Sequence, residues 1–212
     1  MGFLYAKISL INHQDRARGE QMNRNKKTKK LVQLSMLSAI AYILMLFSFS
    51  ILPSSPYLKV DFSEIPVLIA AFIFGPLGGI LVELLKNILD YMFRGEFTGF
   101  PVGHLANFAA GILFVLPVTY IFNRNRSIKS LIFGLALGTL TMTVLMMVLN
   151  YLVFLPMYTY FLNYPTQNSK ELIDLLVKAI MPFNLIKGIL VSIVFVAIYS
   201  KLKKWIELQI EK

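Results

Sequence analysis

From residue 31 onward the chain alternates long apolar runs with short polar breaks. The first run is "LVQLSMLSAIAYILMLFSFSIL" (31–52), followed by the proline-bounded loop "PSSPYLKVDFSEIP". A short run, "VLIAAFIF", meets Gly75-Pro76, a turn signal. Further runs cover 77–93, 104–122 and 130–161, the last with Pro156 near its end. After the loop "LNYPTQNSKE", an amphipathic stretch "LIDLLVKAI" passes Pro182 into a final run over 183–199. Runs of about 18 or more apolar residues are long enough to cross a bilayer as helices. The pattern predicts an all-α integral membrane protein, a single six-helix transmembrane bundle over residues 31–205. Residues 1–30 lack sustained apolar periodicity and are expected to be a disordered basic tail, with 206–212 a C-terminal tail. Met22 precedes the basic cluster, so residues 1–21 are expected to be dispensable.

The third apolar run breaks its own rule. "VELLKNILD" carries Glu83, Lys86, Asn87 and Asp90 at spacings i, i+3, i+4 and i+7, one face of a helix whose other faces are Leu, Ile and Val. Asn107 sits early in the fourth run, Asn150 interrupts the fifth, and Asn184 and Lys187 lie three apart in the sixth. Ionisable groups within a bilayer nearly always face the bundle interior or a water-filled cavity.

Charge then fixes the orientation. Apolar residues make up 57% of the chain and charged ones 15%, against about a quarter charged in soluble domains. The net charge of +10 resides largely in three clusters, "RNKKTKK" (24–30), "RNRSIK" (124–129) and "KLKK" (201–204). All flank apolar runs, as topology-setting charges do, and leave no soluble basic face for nucleic acid. With both termini cytoplasmic, the three clusters place eleven Lys and Arg inside, against four (Lys59, Arg94, Lys170, Lys178) outside. In that topology Glu83 lies near mid-membrane. Asp90, Asn107, Asn150, Asn184 and Lys187 lie in the outer half, and the loop residues Lys59, Asp61, Phe62 and Glu64 lie on the same side. The inner halves offer only Ser, Thr and small residues. A pore is polar from face to face; this pattern describes a pocket opening outward above an apolar floor. Two readings of the polar set stand at this level: ligand-binding groups, or interhelical glue in which Glu83 and Lys86 neutralise each other.

Catalytic chemistry has little to work with. GxxxxGK[ST], HExxH and Gly-x-Ser-x-Gly are all absent, cysteine is absent, and the histidines are His13 and His104. No enzyme, metal site or cofactor is expected. A pocket without an energy source needs a partner, and the first run offers a docking face. Ser35 and Ala39 are four apart in "SMLSA", with Ser38 and Ala41 extending the small surface, a spacing that lets helix backbones approach in lipid.

Three segments carry a resemblance: "KVDFSEIPVLIAAFIFGPLGGILVELLKNIL" (59–89), "NFAAG" (107–111) and "FNLIKGIL" (183–190). They are similar to the riboflavin-specific S components of energy-coupling factor (ECF) vitamin importers, over about residues 25–205. The resemblance implies a six-helix protein that captures riboflavin from outside as its transported substrate. It also implies assembly with a membrane coupling subunit, EcfT, and two ATPases, EcfA and EcfA′. The family's Ala-x-x-x-Ala motif toward EcfT reads Ser35-Met-Leu-Ser-Ala39 here. Ligand contacts carry over to Asn150 and Lys187, with Glu83 lining the site and the loop from Lys59 to Glu64 covering it. A flavin suits an apolar pocket with a few polar contacts, among which Lys86, Asn87, Asn107 and Asn184 are candidates. Periodicity by itself fits thiamin or biotin equally well. The runner-up is a secondary transporter acting as an oligomer, which ion-coupled uptake without any ATPase would favour.

Overall fold

A helix persists where no residue interrupts it, and between Gly19 and Pro53 the chain has neither glycine nor proline. In the computed structural model, which describes residues 2–53, 55, 58–95, 100–162 and 168–210, helix α1 accordingly runs Gly2–Leu46. The tail expected to be disordered over 1–30 is therefore helical from Gly2. Its Lys, Arg, Gln and Glu are good helix formers, and they extend a helix already nucleated by the apolar run. Residues 1–36 form one compact unit and residues 37–212 another.

Within the second unit, α1 gives way to a small antiparallel hairpin, β1 (Phe49–Ser50) against β2 (Lys59–Val60), in register Phe49 with Val60. Helix α2 (Glu64–Phe74) follows and is buried along Glu64–Phe72 on every side, as an all-round apolar helix must be. At 11 residues it spans only about 17 Å, short of a hydrocarbon core. Gly75 turns the chain at φ 81°, a region open to glycine, and Pro76 starts α3 (Pro76–Arg94) at the position where a missing N–H costs nothing.

Helix α3 is amphipathic inside out. Val82, Glu83, Lys86, Asn87 and Asp90 are buried, while Leu77, Leu81, Leu84, Leu85 and Ile88 are exposed. Such a helix makes sense with acyl chains outside and polar partners inside. α4 (Val102–Asn125) packs on α5 (Ile128–Leu149) through Gly134 and Gly138; a Cβ on Gly138 would stand 2.6 Å from the Phe114 carbonyl.

The last two rods each contain a π-turn. α5 passes through Asn150–Phe154 into α6 (Leu155–Leu162), and α7 (Ser169–Leu175) passes through Leu176–Ile180 into α8 (Met181–Ile210). The Leu155 N–H bonds the Asn150 carbonyl and the Met181 N–H bonds that of Leu176, both five residues back. In each case a proline follows two residues beyond the turn, Pro156 and Pro182. A proline ring clashes with the carbonyl four residues before it, here Leu152 and Lys178, and the wider π-turn moves that carbonyl aside. α7 starts on a capping box, with Asn168 and Glu171 satisfying each other's backbone N–H. α8 continues through most of the expected C-terminal tail because Ile206 is buried. Merging the rods across their π-turns leaves six helices among the described residues. Four of them, over 21–46, 102–125, 128–161 and 169–209, are long and apolar enough to cross a membrane.

One end of the bundle is closed by rings. Phe72 stacks on Phe122 at 4.1 Å and meets Phe195 edge-on, and Tyr199 packs against Phe122 at 5.5 Å. The Tyr199 hydroxyl is buried without a hydrogen-bond partner among the described residues. Stranding a buried hydroxyl costs about 1–3 kcal/mol, so Tyr199→Phe is expected to be neutral or to stabilise the bundle by up to about 1 kcal/mol. Thermal unfolding in detergent checks this; a lower midpoint for the variant would mean the hydroxyl has a partner after all.

Candidate functional site

The polar residues of α3 converge on the opposite end of α2 from the rings. Lys86, with no exposed surface, directs its ammonium at three oxygens: Ser63 Oγ at 2.7 Å, Glu64 Oε1 at 2.9 Å and Glu83 Oε2 at 2.8 Å. The Glu83 contact is an ion pair whose angle falls outside hydrogen-bond geometry. Two hydrogen bonds and an ion pair thus surround an ammonium that has three donors. Asn87 Nδ2 donates to Glu83 Oε1 at 3.0 Å and to the Glu83 carbonyl. Its Oδ1 accepts from Asn107 Nδ2 at 3.2 Å, and Asn107 Oδ1 accepts from Lys187 Nζ at 2.8 Å. Lys187 also stands 3.8 Å from Glu64 Oε1. One connected network thus joins α2, α3, α4 and α8.

The loop before α2 enters the same field. Asp61 accepts from the Ser63 N–H at 2.8 Å and is buried. Burial pushes its carboxyl up, but the Lys187 and Lys86 ammonium groups and the bonds from Ser63 outweigh it and hold it below the ordinary carboxylate range. Three carboxyls, on Asp61, Glu64 and Glu83, therefore face two lysines.

The close packing at Glu83 depends on a glycine. A Cβ on Gly111 of α4 would collide with the Glu83 carboxylate, which explains why "NFAAG" ends as it does. A shallow crevice lies beside that contact, lined by Val67, Gly79, Glu83, Gly111 and Val115, and it is closed even to a water-sized molecule. It is apolar apart from the carboxylate and is not itself a small-molecule site, which takes roughly 300–1,000 Å³.

The other expected residues fall as follows. Asn184 is buried one turn before Lys187 and donates to the Ile180 carbonyl at 2.8 Å. Asn150 is half-buried at the start of its π-turn and donates to the Met146 carbonyl at 2.7 Å, outside the hydrogen-bonded network. Lys59 is exposed in the hairpin, and Phe62, half-buried, leans its ring on Phe49. On α1, Ser35 and Ala39 are exposed, whereas Ser38 is buried at 2% and does not share the small outer face. Its position three residues from Ser35 carries it round toward Ala41, which is also buried.

Two placements were not legible beforehand. Glu64, read from the sequence as a loop acid, is the first residue of α2 and a hub shared by Lys86 and Lys187. Asp90 is a clamp: it accepts from Arg94 Nε at 2.5 Å and meets His104 Nε2 at 3.0 Å, while Arg94 Nη2 donates to the Met45 carbonyl. It ties neighbouring ends of α1, α3 and α4 together. A His fourteen residues after an Asp, each at a helix end, was the available signal.

Comparisons with known proteins agree with this architecture. The family described as ECF transporter, substrate-specific component, matches residues 29–199. The chain is 50% identical over 183 residues to the riboflavin transporter FmnP of Bacillus subtilis (strain 168), covering 86% of this chain and 96% of that one. It is 44% identical over 179 residues to the riboflavin transporter RibU of Staphylococcus aureus (strain TCH60), covering 84% and 93%. Among solved structures, the S component of a bacterial ECF transporter superposes with a TM-score of 0.70 at 44% identity, covering 84% of this chain and 98% of that one. The chain is a multi-pass membrane transport protein and not an enzyme. An inside-out third helix, a buried lysine–carboxylate network at one end and these matches lead to one conclusion: the chain belongs to the substrate-specific components of ECF transporters.

Proposed function

We propose that the protein captures riboflavin from outside the cell in the space around Lys187 and delivers it through an ATP-driven complex of EcfT, EcfA and EcfA′. The observation that carries this reading is the unequal commitment of the two buried lysines. Lys86 is engaged by three oxygens, with hydrogen bonds to Ser63 and Glu64 and an ion pair to Glu83. Lys187 donates one hydrogen bond, to Asn107, and keeps donor capacity. Asn184 and Asn150 each spend their amide group on a backbone carbonyl one turn back, which presents the side-chain oxygen as an acceptor. Donors and acceptors of this kind match the hydroxyls, ring carbonyls and ring N–H of a flavin, and flanking aromatic and aliphatic side chains match its rings. Lys59, Asp61 and Phe62 belong to the segment that closes over the ligand. The crevice beside Glu83 is too small for a flavin, so entry requires the hairpin segment to part from the helices. Glu83, Lys86, Asn87 and Asn107 then form the wall that orients Lys187. Ser35 and Ala39, exposed on α1, form the face offered to EcfT.

Titration settles the ligand. Protein unfolded, washed free of flavin and refolded in detergent should quench riboflavin fluorescence stoichiometrically and turn yellow. Absence of quenching by refolded, monodisperse protein would defeat the reading. The protein reconstituted alone should bind riboflavin and accumulate none; accumulation driven by an ion gradient would favour a secondary transporter instead.

A further inference from the structure

Hydrogen-bond accounting among the described residues leaves two carboxylate oxygens of the network unfilled: Glu83 Oε2, which still forms an ion pair with Lys86 at 2.8 Å, and Glu64 Oε2, where the network meets α2. Glu64 is 1% exposed; its Oε1 takes Lys86 at 2.9 Å and stands 3.8 Å from Lys187, yet its Oε2 is buried with no hydrogen-bond partner among the described residues. An unfilled carboxylate oxygen is expensive to bury and rare. Lys187, beside it, has donor capacity to spare after its bond to Asn107. The site therefore sets an unfilled acceptor next to an underused donor.

Ligand groups differ in how they answer that pair. A ring carbonyl accepts and does not donate. An imide N–H donates and does not accept. A hydroxyl does both, so one hydroxyl can accept from Lys187 Nζ while donating to Glu64 Oε2. The geometry points to Glu64 as a specificity-determining residue that, with Lys187, selects the sugar-alcohol chain of the ligand over its ring system. This rests on the flavin reading above and deepens it. Hydrogen bonds to charged groups are the stronger ones, and a site built to bond a hydroxyl rejects analogues that lack it by large factors.

The test pairs one substitution with two ligands. Glu64→Gln keeps Oε1 as the acceptor for Lys86 but replaces Oε2 by an amide that cannot accept. Riboflavin is compared with lumiflavin, which has the same ring system and a methyl group in place of the ribityl chain. Folding of the variant is checked by size exclusion and thermal unfolding. The expected result is riboflavin weakened tenfold or more and lumiflavin changed less than twofold. Equal weakening of both flavins would mean that Glu64 acts through the fold, and no change in either would mean that it is not in contact; each overturns the proposal. Should the variant fail to fold, the parent decides. Riboflavin binding at least a hundredfold tighter than lumiflavin supports the proposal, and equal affinities overturn it. A parent that binds neither flavin sinks the riboflavin reading itself, a result distinct from all of these.

Discussion

Lys86→Met is expected to abolish or nearly abolish folding of the bundle. The ammonium is the shared partner of Glu64 and Glu83, both buried, and methionine of similar length leaves the packing volume almost unchanged. The loss is therefore electrostatic. Removing one member of a buried ion pair costs about 3–5 kcal/mol because it strands the other charge. Here two carboxylates are stranded, and among the described residues the remaining cation is Lys187, 3.8 Å from one of them. Total stabilities are of the order of 5–15 kcal/mol, so the variant should be poorly expressed, aggregated, or much less resistant to heat in detergent. Adding Glu83→Gln should recover part of the loss by removing one stranded charge. A single variant that melts with the parent would show that the network is not structural.

Lys187→Ala should behave in the opposite manner, sparing the fold and weakening the ligand. Glu64 keeps Lys86 when Lys187 is removed, and Asn107 keeps its bond to Asn87. A lost hydrogen bond to a charged group is worth about 1.5–3 kcal/mol. At about 1.4 kcal/mol per factor of ten, riboflavin binding should fall roughly tenfold to a hundredfold. Fluorescence quenching on monodisperse protein measures it, and parental affinity would place the ligand elsewhere. The two substitutions together test the proposed separation of a lysine that holds the bundle from one that holds the substrate.

That separation was not written in the sequence. Spacing alone put Glu83, Lys86, Asn87 and Asp90 on one face, and burial of all four confirms the periodicity argument. Six helices and the inward polar face follow from the same local rules. Partners are a different matter, since Lys86 meets Ser63 and Glu64 across more than twenty residues and Lys187 meets Asn107 across eighty. Only packing decides which lysine is the more heavily engaged. Asp90 shows the limit from the other side: it shares the α3 face with the network, yet Arg94 and His104 draw it into a separate clamp. The tail was misread because helix formers can extend an existing helix without any apolar periodicity of their own.

The paired π-turns at 150–154 and 176–180 change what mutation can do to this chain. Side-chain azimuth advances by about 100° per residue in an α-helix, so each widened turn amounts to one inserted residue and a phase slip of that size. A helical wheel drawn through 128–162 at constant pitch assigns every side chain beyond Phe154 to the wrong direction. Deleting any one residue within either turn would restore the ordinary ladder, swing one half of the rod against the other and press a proline ring onto a carbonyl. These segments should therefore tolerate substitution far better than a change in length. In a chimera between two such proteins, the residue count from Asn150 to Pro156 and from Leu176 to Pro182 has to be preserved before any individual side chain is chosen.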